Sequence, residues 1–141
     1  MKEAYVSFEV AKLLKEKGFD GECRMMYREH DKRRLYYVPD PNHIGEFTID
    51  AKWIKSHTKK AHAEYLLAPT LQMACAWLRE VYNILLFLLP AQENGKLVYL
   101  VEVWTWNEEE GIYESTYAPM PRKEPEQAVE AAIKYTLENL I

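Results

Sequence analysis

"APTLQMACAWLREVYNILLFLLP", residues 68–90, is the stretch whose reading decides the fold. A helical pattern runs there into six unbroken apolar residues, Ile84 to Leu89, and the two halves demand different structures. In the first half Leu71, Ala74, Trp77, Leu78 and Val81 form one apolar stripe at helical spacing, with Gln72, Arg79 and Glu80 off it. Pro69 suits the first helical position, where its missing N–H would have had no partner. Asn83 tolerates the left-handed conformation that stops a helix. From Ile84 the helical period is lost, and a short apolar run closed by Pro90 predicts a central strand with both faces covered. Length excludes a membrane-spanning helix, which needs about 20 predominantly apolar residues.

Towards the C-terminus, Glu93-Asn94-Gly95-Lys96 carries Asn-Gly, the strongest short-range hairpin signal. Beyond it Leu97, Tyr99, Val101, Val103 and Thr105 share one parity, while Val98, Leu100, Glu102, Trp104 and Trp106 share the other. A second acidic turn, "NEEEG", leads into "IYESTYA" at 112–118, so three antiparallel strands are expected in a meander. The last helix opens at Pro125, with Glu124 and Glu126 near its positive end. Its stripe is Val129, Ala132, Ile133, Thr136, Leu137 and Leu140, and the helices at 69–82 and 125–140 are expected to cover the sheet.

Towards the N-terminus, a helix starts near Ser7, which can cap the free amides of the first turn. Val10, Leu13 and Leu14 form its apolar face, and Gly18 followed by Phe19 fits a left-handed C-terminal cap. "CRMMY" and "RLYYV", flanking the polar "REHDK", predict a strand pair between residues 22 and 38. Residues 42–60 hold no sustained period and are expected to form a loop, with one short strand or turn around Phe47–Ile49 or Trp53–Ile54. Tyr65-Leu66-Leu67 predicts a strand end. The expected whole is a single α+β domain over 1–141, an antiparallel sheet packed with about three helices.

Charge limits the function classes. The net charge is −4, yet residues 1–67 hold 13 Lys and Arg against 11 Asp and Glu, while residues 68–141 hold 5 against 11. An acidic C-terminal half argues against general binding to a phosphate backbone. Cys23 and Cys75 are the two cysteines and lie far apart, so neither a disulfide framework nor a CxxC site is implied. Met1 to Tyr5 lacks the apolar run of a signal peptide, and a cytoplasmic setting is expected.

Three blocks carry a resemblance: "YVSFEVAKLLKEKGF" at Tyr5–Phe19, "APTLQMACAWLRE" at Ala68–Glu80 and "QAVEAAIKYTLENL" at Gln127–Leu140. With them the chain resembles a family of small uncharacterised proteins of gut Bacteroides-type bacteria and their phages and mobile elements. The resemblance spans nearly the whole chain except Glu22–Lys60. It implies a small accessory protein and transfers no role to any residue.

Candidate sites follow from residue chemistry. His30, His43, His57 and His62, with Cys23, show no zinc-ligand spacing, so neither a metal nor another cofactor is expected. Cys75 lies beside a buried stripe and Cys23 has no predictable base, so no catalytic residue is assigned. Lys32, Arg33, Arg34, Tyr36 and Tyr37 put cations beside aromatics, the pairing that tracks a single strand and stacks its bases. A guarded edge strand explains the same residues, and nucleic acid is the alternative reading. The leading reading is contact with a protein partner. Trp104 and Trp106 point to one strand face, with Tyr113 and Tyr117 as neighbours, and such residues dominate interface hot spots. That face could equally be buried under helices. Because both faces of the strand are apolar, a homodimer is one form such contact can take.

Overall fold

The structure is a computed structural model that describes residues 3–28, 31–37, 49–61, 65–117 and 121–141, without the side chains of 31–34, 37, 57–61 and 117. Among the described residues there are four helices and two three-stranded antiparallel sheets, an α+β fold. The chain forms two compact units, Met1–Met73 and Ala74–Ile141.

In the first unit, helix α1 (Phe8–Glu16) begins as its sequence dictates. Ser7 is extended, and its hydroxyl accepts a hydrogen bond from the Val10 amide at 3.3 Å. The helix buries Val10, Ala11 and Leu14. At its end Gly18 takes φ +86°, the Gly18 amide donates to Lys15 O, and the Phe19 amide donates back to Leu14 O at 2.9 Å. These two bonds are the paired C-terminal cap that a glycine in the left-handed region permits.

Strand β1 (Met25–Arg28) is central in the first sheet, between β2 (Asp31–Tyr37) and β3 (Tyr65–Leu67). β1 buries Met26 and Tyr27, and β3 buries Leu66 and Leu67. The Tyr27 hydroxyl is satisfied inside, donating to Val6 O at 2.7 Å, and its ring meets Phe8 edge-on. The segment before α1 is tied down by Val6 N–H to Pro69 O and Leu71 N–H to Ala4 O, both 3.0 Å.

Three expectations are corrected here. The polar connection of the strand pair is shorter than expected, because β2 already begins at Asp31. The expected loop contains a helix, α2 (Ala51–Ala61). Asp50 starts it, its carboxylate accepting from the Trp53 amide at 2.9 Å. Ile49 forms a single bridge with Cys23, Phe47 lies outside the described residues, and Trp53–Ile54 is helical. Helix α3 (Leu71–Tyr82) begins two residues later than expected: Thr70 caps it through Met73 N–H at 3.1 Å, and Pro69 stays outside the helix, fully buried.

α3 begins in the first unit and continues into the second. Asn83 ends it with φ +56°. The second sheet is the meander β4 (Leu85–Glu93), β5 (Lys96–Asn107) and β6 (Ile112–Tyr117), in that spatial order. Asn94 and Gly95 both have positive φ, +53° and +75°, as a type I′ turn requires. At the second turn the Asn107 side-chain oxygen accepts from the Glu109 and Glu110 amides. Helix α4 (Pro125–Asn139) packs on β5 and β4, burying Ala128, Ala132, Ile133, Thr136 and Leu137. Val129 and Leu140, expected on its stripe, are half-buried. Just past α3, Asn83 Oδ1 accepts a hydrogen bond from the Tyr113 hydroxyl of β6.

The apolar run is the largest correction. β4 is an edge strand rather than a central one, and it continues through Pro90 to Glu93. Ile84 is buried, but Phe87, Leu88 and Leu89 are 46%, 44% and 37% exposed. A meander starting from β4 leaves it one neighbour, whatever its composition. Pro90 fits an edge, where a missing N–H can face water.

Candidate interaction surface

The two-residue turn sets the register of the second sheet, and register decides which side chains meet. Leu85 lies opposite Trp104, Phe87 opposite Glu102 and Leu89 opposite Leu100. Trp104 lies opposite Ser115 and Trp106 opposite Tyr113, with an irregularity between Val103 and Trp104. Alternation then places Phe87, Trp104, Trp106 and Tyr113 on one face. The rings make edge-to-face pairs: Phe87 with Trp104 at 6.1 Å, and Trp106 with Tyr113 at 5.0 Å. Trp104 Nε1 donates to Glu102 Oε2 at 3.0 Å, which satisfies the indole and leaves its ring for packing. Phe87 and Trp106, at 46% and 43%, are nearly half exposed. Residues Val101 and Val103, of opposite parity on β5, are fully buried. Around Trp104 and Trp106 the tryptophan face is therefore the more open side, while nearer the turn Val98, of the same parity, is buried.

Of the four residues assigned to this surface, the structure brings Trp104, Trp106 and Tyr113 together. Tyr117 pairs through its backbone with Val103, across the irregularity, and its side chain lies outside the described residues. Phe87 is the member that sequence reading missed, because its strand was expected to be covered on both sides.

The basic–aromatic stretch forms β2, with Tyr36 opposite Met26 and Tyr37 opposite Met25. The Arg28 guanidinium lies 4.4 Å from the centre of the Tyr36 ring and 5.7 Å from that of Tyr65. One face of Tyr36 is thus occupied by a cation–π contact within the protein. The side chains of Lys32, Arg33, Arg34 and Tyr37 lie outside the described residues.

Other chemistry is sparse. A cavity of about 390 Å³ in the first unit is lined by Ala11, Phe19, Ile54 and Leu67, with Lys15 and Lys55 among its walls; among the described residues its lining includes no carboxylate, imidazole or thiol. Burial pushes the Cys23 thiol up to about 12 and the Cys75 thiol to about 11, so both keep their protons at neutral pH, far from the thiolate a nucleophile needs. Among the described residues no group of three or more His, Cys, Asp or Glu could hold a metal ion. His30, His43, His62 and the His57 side chain lie outside them. No helix is long and apolar enough to cross a membrane, again among the described residues. No family model, no curated protein and no solved structure matches the chain.

Proposed function

We propose that this chain is a small, non-catalytic accessory protein that works in the cytoplasm by binding another polypeptide through the aromatic face of its C-terminal sheet. The observation that carries the reading is the half-exposed set of Phe87, Trp104, Trp106 and Tyr113, whose rings pair edge to face on one side of the sheet. Pre-ordered aromatic side chains lose little conformational freedom on binding, and Trp and Tyr supply a large share of hot-spot energy. The family resemblance, to accessory proteins of gut bacteria and their mobile elements, is part of the same proposal.

The alternative, a nucleic-acid contact through Lys32–Tyr37, has less behind it. The chain is acidic overall, and Arg28 already covers one face of Tyr36.

A photo-crosslinking phenylalanine analogue placed at Trp106 tests the proposal in the source cells. Discrete polypeptide adducts are expected there and not from the same analogue at Glu138, exposed on α4. No adducts, or the same adducts from both positions, would overturn it.

A further inference from the structure

The free edge of β4 carries an inference of its own. We infer that it pairs antiparallel with β4 of a second copy of this chain, about a two-fold axis at Phe87. This names a partner for the contact surface proposed above and rests on that reading of the C-terminal sheet.

The turn determines which main-chain groups face outward. In a hairpin closed by a two-residue type I′ turn, the flanking residues, here Glu93 and Lys96, exchange both hydrogen bonds, and bonding alternates along the ladder. Ala91, Leu89, Phe87 and Leu85 then bond to β5. Gln92, Pro90, Leu88 and Leu86 turn their main-chain groups to the free edge. An independent contact agrees with this assignment. Tyr99, opposite Pro90, has its N–H and C=O engaged by Arg122 at 2.8 and 2.9 Å, and so directs neither towards β4. Pro90 therefore sits where its missing N–H costs the sheet nothing.

Sheet edges are normally guarded by charge, proline or a bulge. From Leu85 to Gln92 there is no charged residue, and the one guard, Pro90, lies near the far end. The opposite edge, β6, carries an exposed Glu114 with Ser115 and Thr116. The charge pattern favours a second copy as the occupant. A two-fold axis brings like residues close together, so a charged edge would repel itself, and this one does not.

Two groups already committed choose the register. Centring the pair on Leu88 sets Leu86 against Pro90, which has no N–H to give. Centring it on Leu86 sets Leu88 against Ile84, whose N–H is already donated to Leu78 O at 3.2 Å. Centring on Phe87 sets these two committed residues, Ile84 and Pro90, against each other, and pairs Leu86 with Leu88 of the second copy twice, using every N–H and C=O of both residues. Phe87 then faces Phe87 of the second copy at a non-bonded position, where Cα atoms stand about 4.5 Å apart. The two rings meet on the face that already holds Trp104.

Sedimentation velocity on the full chain at micromolar concentration is the test. A dimer of 16.6 kDa protomers is expected. Leu88→Lys and Leu88→Pro are expected to weaken association at least about tenfold, read as a shift to monomer. Far-UV circular dichroism of Leu88→Lys should be unchanged, because the side chain is exposed and its amide takes no part in the sheet. Phe87→Cys should form an intermolecular disulfide on mild oxidation, since its Cα separation lies in the disulfide range; Leu86→Cys and Leu88→Cys, which do not face themselves, should not. A wild-type monomer at that concentration, or a Leu88→Lys protein that dimerises like wild type, would overturn the inference. Crosslinking from Trp106 to another protein in a chain that stays monomeric would remove the second copy and leave the contact surface standing.

Discussion

The two sheets have three strands each and antiparallel pairing throughout, yet they face their surroundings differently. In the first, the central strand β1 buries Met26 and Tyr27, and its neighbour β3 buries Leu66 and Leu67. Even the Tyr27 hydroxyl is satisfied inside, on Val6 O. In the second, β5 buries Val98, Val101 and Val103, while the flanking strands leave Phe87, Leu88, Leu89 and Ile112 well exposed. The first sheet is short, and the buried side chains of β1 and β3 belong to its own core. The second is long and apolar beyond what its own helix covers. Exposed apolar surface concentrated in one place marks contact with something else. That difference locates the proposed function.

The comparison predicts unequal costs for the same chemical change. Leu66→Ala, at 1% exposure in the first sheet, should lose about 2–5 kcal/mol by urea denaturation, the range for emptying a packed core site. A loss below about 1 kcal/mol would mean the first sheet is not the tighter of the two.

Alkaline stability probes both units at once, through one thiol in each. The ordinary thiol value is 9.0, and burial holds Cys23 at about 12 and Cys75 at about 11. Above the ordinary value the unfolded chain releases these protons while the folded chain keeps them. Stability contributed by the thiols is therefore complete below about pH 9 and is lost as pH rises towards the folded values. Urea midpoints at pH 8 and pH 10, each approximate settings inside and beyond that limit, should fall for wild type. The fall should shrink by a similar amount in Cys23→Ala and in Cys75→Ala, because pH 10 lies below both folded values.

Ser7→Ala should cost about 1 kcal/mol, the usual value for losing a helix N-cap. Least of all, Leu88→Ala should change protomer stability by no more than about 0.5 kcal/mol, since its side chain is already 44% exposed. A loss as large as that of Leu66→Ala would show that the β4 edge is covered within the protomer and is not available to a partner.

Much of the fold was legible because local chemistry and global packing agree. Ser7 and Gly18 bracket α1, Asn83 stops α3, and Asn94-Gly95 makes the turn its residues demand. α2 was not legible. Its first turn has only Asp50 as a signal, and Ser56, His57 and Thr58 are weak helix formers that hide the Ala51 and Ile54 face. Whether β4 is an edge or a centre was also illegible, because an unbroken apolar run is compatible with both and only the order of strands decides. The candidate site was half readable. Strand parity alone placed Trp104 and Trp106 together. Phe87 could have been added by counting back from the Asn94-Gly95 turn, which pairs Glu93 with Lys96 and so Phe87 with Glu102.

Residue-resolved amide hydrogen exchange along β4 tests the central claim most directly. In dilute protein the amides of Leu85, Phe87 and Leu89 should be protected, while those of Leu86 and Leu88 exchange freely. Raising the concentration should slow Leu86 and Leu88 alone. Strong protection of Leu86 and Leu88 in dilute monomer would mean the protein closes this edge itself, and the account of an open contact surface would be wrong.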